Sequence, residues 1–261
     1  MGVLNLTPDS FSDGGRFASA DEAAAAAAAM LAAGAALVDV GGESTRPGAE
    51  PVPVDEELRR VLPVLERLQG SPSSIDTTKA EVARHALALG VEMVNDVTAL
   101  RGDPALAAVV ADAGAYLCLM HMQGEPGTMQ DAPRYADVVD EVSSFLEGRV
   151  AFAVAEGIPE ERICIDPGIG FGKTADQNLE LVRRLDRIVA IGPPVLVGLS
   201  RKSTLGRVLG DPEARRGTAA ASVGAAVAAF GRGATLFRAH DVREHVEALS
   251  VAAAVERGRV A

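Results

Sequence analysis

The chain has 261 residues, 48% of them hydrophobic, which suffices for one sizeable core. A formal net charge of −11 argues against a nucleic-acid or acidic-membrane surface, and 3% aromatics with no Trp argue against a base-stacking platform. Local charge can oppose the global sign, so a cationic pocket for an anionic substrate stays open.

No apolar run is long enough to span a bilayer, and the opening MGVLNLTPDSFSD lacks a basic leader with an apolar core. A cytoplasmic protein is expected. Cys118 and Cys164 sit inside apolar runs without metal or redox spacing, which reads as buried free thiols in a reducing compartment.

Gly2 to Leu6 forms the first apolar run, and a Pro-, Asp-, Ser- and Gly-bearing loop follows from Thr7 to Gly15. Ser19 with Glu22 three residues on reads as a helix start, and Gly34 ends that helix after an alanine tract. Ala35 to Val40 is the second strand, and Gly41 to Gly48 the second long loop. A helix from Val54 to Leu68 places Val54, Leu58, Val61, Leu62 and Leu65 on one face.

Strands then recur at Ser73–Thr77, Glu92–Asp96, Tyr116–His121, Arg162–Asp166, Pro194–Val197 and Ala234–His240. Helices between them are expected at Lys79–Leu89, Pro104–Ala113, Tyr135–Glu156 and Asn178–Ile191, with a short one after Ser203 and a long one at Ala214–Phe230. A last helix runs from about Asp241 to Arg257.

The strands lack strict alternation, as in a parallel sheet covered by helices. With ends at Asn5, Gly41, Asp76, Asn95, His121, Asp166, Ser200 and His240, the gaps are 36, 35, 19, 26, 45, 34 and 40 residues. Each accommodates a crossover helix. Eight such units predict an α/β fold, a (β/α)8 TIM barrel, as a single domain over residues 1–261. The GxGxxG and GxxxxGK[ST] fingerprints of open doubly wound sheets are missing.

C-terminal strand ends share one mouth of a barrel, so Asn5, Asp76, Asn95, His121, Asp166, Lys202, Arg238 and His240 would ring it. A single polar strand end often only starts a turn or caps a helix. Eight together point to chemistry. Asp76, Asn95 and Asp166 suit the amino and ring N–H groups of a flat heterocycle. Lys202, Arg238, His240 and Arg46 suit a phosphorylated group. An acidic floor under a basic rim is expected. Lys202 draws attention because only three lysines stand beside 22 arginines.

A zinc hydrolase would need clustered histidines, and His85 and His245 fall within helices. A Schiff-base aldolase using Lys202 leaves the two Asp and the Asn unexplained. A glycosidase built on Asp76 and Asp166 leaves the basic groups unexplained.

Gly2 to Gly15 closely resembles the opening signature of dihydropteroate synthases, and Asp39 to Gly48 resembles their second signature. Further likenesses are Ser74–Thr77, Asn95–Val97, Met120–Met122, Asp166–Lys173, Ser200–Ser203 and Arg238–Val242, so the resemblance spans essentially the whole chain. It implies a (β/α)8 barrel that is usually a homodimer. The implied reaction joins p-aminobenzoate to 6-hydroxymethyl-7,8-dihydropterin diphosphate, giving 7,8-dihydropteroate and diphosphate.

By that resemblance Asp76, Asn95, Asp166 and Lys202 hold the pterin, with Asp76, Asp166, Lys202 and Arg238 as the catalytic group. Arg46, Arg238 and His240 contact the diphosphate, and Asn5 helps place Mg²⁺. Thr45, Pro47, Phe171, Lys202 and Ser203 form the p-aminobenzoate side, where sulfonamides also bind. Thr78 stands where a tyrosine is more usual. Family members generally carry an N-terminal stretch that closes the barrel floor, and this chain is expected to lack it. The alternatives are a corrinoid-linked methyltransferase, which has no need of the basic set, a catalytically silent pterin-binding paralogue, and a plain structural barrel, which leaves the ring unexplained.

Overall fold

The computed structural model describes residues 1–7, 17, 19–45, 48–125, 127–211 and 217–259. Six parallel strands follow one another in chain order: β1 (Gly2–Asn5), β2 (Val38–Gly41), β3 (Ser73–Asp76), β4 (Met93–Asp96), β5 (Tyr116–Met120) and β6 (Ile163–Asp166). β7 (Leu196–Val197) and β8 (Leu236–Phe237) form a second parallel pair. Single bridges between Ile165 and Val195 and between Gly2 and Ala239 join the two sets. Val3 N–H donates to Ala239 O at 3.2 Å, so the last strand returns to the first and the barrel closes. The fold is the expected (β/α)8 barrel.

The strands do alternate, with the apolar side outward. Leu4, Val38, Val40, Ile75, Val94, Leu117, Leu119, Ile163 and Ile165 belong to the large core shared with the helices. Every second residue faces the lumen instead. Met93, Cys118, Cys164 and Leu196 make a separate apolar cluster there. Asp39, Ser74 and Asn95 occupy neighbouring lumen positions and bond to one another. This period-two pattern was hidden because cysteine and methionine fill the apolar lumen layer. Both cysteines are free and buried.

Helix boundaries follow the caps. Ser19 Oγ accepts Glu22 N–H at 3.2 Å and starts the Ala20–Ala32 helix. The helix expected over Asn178–Ile191 is two helices, Ala175–Arg183 and Leu185–Val189. Thr174 and Gln177 cap each other's backbone and move the start forward. Arg184 breaks the run with φ −111° and ψ 32°, and its guanidinium reaches Asp137 at 2.8 Å. The long alanine-rich helix begins at Ala219, capped by Thr218; Ala214 lies outside the described residues.

The expected strand ends His121, Ser200 and His240 lie one to three residues past the strands, in the loops of the mouth. On the Val54–Arg67 helix, Glu57 and Val64 are buried with Val61 and Leu65, whereas Val54, Leu58 and Leu62 are only half-buried. No helix among the described residues is long and apolar enough to cross a membrane.

Candidate active site

The floor of the mouth is an ionic network inside the barrel. Asp39, in the middle of β2, is fully buried. Its Oδ1 accepts Ser74 Oγ–H at 2.6 Å, and its Oδ2 accepts Asn95 Nδ2–H at 3.1 Å and Arg238 Nε–H at 2.6 Å. Arg238 Nη2 donates to Asp76 Oδ2 at 2.9 Å. One guanidinium thus spans two carboxylates, the directional fork that arginine supplies. Arg238 was expected on the basic rim; the structure places it on the floor, because two desolvated carboxylates side by side require a cation between them.

Burial pushes the Asp76 carboxyl up to about 7, with Arg238 opposing the rise and Asp39 adding to it. For Arg238 burial acts downward, but the Asp39 and Asp76 charges outweigh it and hold the guanidinium above its usual range. Burial lifts Asp166, at the end of β6, to about 6, against the Gly168 N–H it accepts at 2.7 Å and the charge of Lys202.

Asn5, ending β1, approaches Asp76 across Gly41. A Cβ at Gly41 would lie 3.6 Å from Asp76 Oδ2 and 3.7 Å from Asn5 Oδ1, ordinary contact distances, so both oxygens border the same small space. Lys202 precedes the Ser203–Val208 helix, and its Nζ stands 4.3 Å from the Phe171 ring centroid, a cation–π distance. Arg201, beside it, turns away and grips Asp241 through Nε at 3.0 Å. Of the two adjacent cations, only Lys202 is at the mouth. His240 N–H and Nδ1 each lie 3.1 Å from Ser200 Oγ, which ties the β7 loop to the β8 loop. Ser203 is exposed and Thr45 half-buried on the β2 loop. Arg46 and Pro47 lie outside the described residues, as does most of the Thr7–Gly15 loop.

His121 is buried and does not present a free cation. Its Nδ1 is 2.8 Å from Lys173 Nζ, and burial, with Lys173 and Arg101 adding, holds it down to about 3. Lys173 donates to Gly168 O at 3.0 Å and Phe171 O at 2.9 Å, so it staples the β6 loop from within. Gly168 has φ +67°, and a Cβ there would fall 1.9 Å from His121 O. Buried Val97, Met120, Met122 and Met129 pack with Phe171 as an apolar wall.

Asp39, Lys173 and the Glu43–Lys79–Glu57 group were not singled out from the sequence. A carboxylate amid the apolar residues of β2 was the signal for Asp39. The scarcity of lysine, used for Lys202, applied equally to Lys79 and Lys173.

A closed barrel with carboxylates, an amide and a guanidinium at its C-terminal mouth is of the pterin-binding class, and residues 1–240 match the family model described as pterin binding enzyme. The dihydropteroate synthase of Escherichia coli (strain K12) is 45% identical over 256 residues, covering 96% of this chain and 89% of that protein. The solved dihydropteroate synthase of Xanthomonas albilineans with 4-aminobenzoic acid superposes with a TM-score of 0.88 at 49% identity, covering 98% and 92% of the two chains. That of Burkholderia cenocepacia with 7,8-dihydropteroate gives 0.85 at 45% identity over 98% and 91%. The chain belongs to the dihydropteroate synthase family.

Proposed function

We propose that the barrel mouth holds the pterin ring on Asp76, Asn95 and Asp166 under Lys202 and performs dihydropteroate synthesis there. The reaction joins p-aminobenzoate to 6-hydroxymethyl-7,8-dihydropterin diphosphate and releases diphosphate. The observation that carries the residue assignment is the floor itself: two buried carboxylates bridged by Arg238, with Asn95 bonded to the same Asp39. Such groups are fixed before substrate arrives, so they offer paired acceptors at no reorganisation cost.

The C–O bond to diphosphate breaks first in this reading. The pterin methylene carbon becomes cationic, and Asp76 and Asp166 stabilise it in a site from which water is excluded. The arylamine nitrogen of p-aminobenzoate then attacks and loses its proton, without a strong general base or a covalent enzyme intermediate. Lys202, His240 and Arg46 take up diphosphate charge. Arg238 holds Asp76 and Asp39 in place and keeps the floor from accumulating unbalanced negative charge. Phe171, Thr45, Pro47 and Ser203 flank the p-aminobenzoate.

Asn5 offers an amide oxygen beside Gly41, and Mg²⁺ commonly takes one or two protein oxygens and completes its shell with phosphate and water. A single amide oxygen suits an ion held mainly by substrate phosphate, and no group of three or more His, Cys, Asp or Glu able to hold a metal occurs among the described residues. A Mg²⁺ held by Asn5 and the substrate would neutralise leaving-group charge.

A cytoplasmic homodimer belongs to the proposal. The last helix leaves Val251 and Val255 exposed beside the Ala219–Phe230 helix, a surface suited to a second copy. Light scattering should give twice the chain mass, and Val255→Asp should halve it.

The deciding experiment measures diphosphate release with Mg²⁺, with and without p-aminobenzoate, for the natural chain and Lys202→Ala. Release coupled to dihydropteroate formation, and lost in the variant, is expected. Tight pterin binding without release would overturn the assignment.

A further inference from the structure

Lys79 lies three residues past Asp76, where β3 has ended and the next helix begins. Its Nζ contacts two carboxylates from the other side of the β2 loop: Glu43, just after β2, and Glu57 Oε2, at 2.5 Å, on the helix that follows. Glu57 is fully buried, and its Oε1 is the single buried side-chain oxygen or nitrogen among the described residues that lacks a hydrogen-bond partner. Glu43 has a second bond. Its Oε1 accepts Val52 N–H at 2.9 Å, across the loop. Arg60, one turn beyond Glu57, donates to Gly42 O at 2.7 Å.

These contacts clamp both feet of one loop. Gly42 and Glu43 are the departing foot; Val52, Glu57 and Arg60 are the returning one. Lys79 joins the two feet to each other and to the strand that carries Asp76. Lys79 N–H reaches Thr77 Oγ1 at 3.3 Å, and Thr77 N–H donates to Asn95 O at 3.2 Å, so the same anchor continues into the pterin floor. Burial acts to lower the Lys79 ammonium, but bonding to Glu43 and Glu57 outweighs it and holds Lys79 above its ordinary value, so it stays charged.

We propose that Glu43 and Lys79 are positioning residues for the second substrate: they fix the feet of the loop that carries Thr45 and so register the p-aminobenzoate side of the site against the pterin floor. The identity of that substrate rests on the function proposed above. The two carboxylates divide the work. Glu57, wholly buried, needs Lys79 for its own charge balance. Glu43, partly exposed, spends one oxygen on Lys79 and the other on the returning foot. Glu43→Ala therefore releases the loop and leaves the Lys79–Glu57 pair intact, which separates positioning from stability.

The test compares the natural chain, Glu43→Ala and Lys79→Arg. Amide exchange is read at Val52 and over residues 48–50, with pterin-diphosphate affinity and the KM for p-aminobenzoate alongside. In Glu43→Ala the loop amides should exchange roughly 10-fold faster and the KM for p-aminobenzoate should rise roughly 10-fold, while pterin affinity moves by less than about 2-fold. Lys79→Arg, which keeps a cation between the carboxylates, should retain both loop protection and KM. Unchanged exchange in Glu43→Ala would overturn the clamp. Pterin affinity falling as far as that for p-aminobenzoate would overturn the assignment to the second substrate. If the natural chain forms no dihydropteroate, the functional reading fails, and the exchange arm still decides the clamp.

Discussion

Asp39 touches neither rim nor solvent, yet it sets the charge of the floor. It is fully buried against Arg238, Asn95 and Ser74. Asp39→Ala leaves Arg238 with one carboxylate in place of two, and breaking a buried ionic contact in this way costs about 3–5 kcal/mol, readable by urea unfolding. Asp39→Asn is the finer probe. The Asp39 charge helps push Asp76 up to about 7, so removing it should lower that carboxyl. Both Asp76 and Asp166, the latter near 6, must be ionised to face a cationic methylene carbon. The kcat/KM for the pterin diphosphate should therefore fall on the acid side between about pH 7 and 6 in the natural chain. In Asp39→Asn that limb should move to lower pH, as initial rates across a buffer series will show.

The β6 and β4 loops are each held by polar side chains that bind their backbone. Gly168 begins the β6 loop in a left-handed conformation within contact of His121 O, and Lys173 binds the carbonyls of Gly168 and Phe171. Gly168→Ala must shift the loop or the β5 end; the strain alone is about 1–3 kcal/mol, and a lowered thermal midpoint with a raised KM for p-aminobenzoate is expected. The β4 loop is held comparably. Ala99 and Leu100 both have positive φ, Asp96 accepts Thr98 N–H and Leu100 N–H, and Arg149 Nε donates to Ala99 O at 2.6 Å. The strands, their order and the ring positions Asp76, Asn95, Asp166 and Lys202 were legible in the sequence, because apolar runs and polar ends are local signals. The staples were not. Arg238 reads as a rim cation until β2 is known to place Asp39 next to it. Arg149 reads as helix surface until a loop 49 residues away needs its carbonyls bound. Pairings between distant positions carry no local mark, whereas lysine scarcity was a local mark that could have been applied three times.

At the scale of the molecule Asp76, Asp166 and His121 partly offset one another in acid, and Lys173 contributes a rise in stability above neutrality. Asp76 and Asp166 are raised from 3.8 to about 7 and about 6, so the folded state holds their protons more tightly and their contribution to stability falls as pH rises through that window. His121 is lowered from 6.5 to about 3, which acts in the opposite sense: its contribution is complete above 6.5 and is lost as pH falls. Between 6 and 6.5 Asp76 and His121 cancel, and below 6 these three groups leave a net difference of one proton, in the same sense as the Asp96 carboxyl that burial raises. Lys173 acts on the other side, and the Met1 amino group, lowered from 8.0 by burial, adds to it below pH 8. Burial pulls Lys173 from 10.5 to about 7, with Asp166 opposing and Lys202 adding, so above pH 7 the unfolded chain binds a proton that the folded chain has released. Stability should then climb from pH 7 toward 9, with Lys173 supplying at most about 1.4 kcal/mol per unit; above pH 9 the Cys118 thiol, raised by its bond to Cys164 and by burial, acts in the opposite sense. Urea midpoints at pH 7, 8 and 9 should rise for the natural chain. Lys173→Met loses the staple and will be less stable at every pH, but the slope is the test. Between pH 8 and 9 it should flatten in the variant, because a methionine has no proton to release and the Met1 amino group has titrated in both states, and an equal slope in both chains there would remove Lys173 as its source.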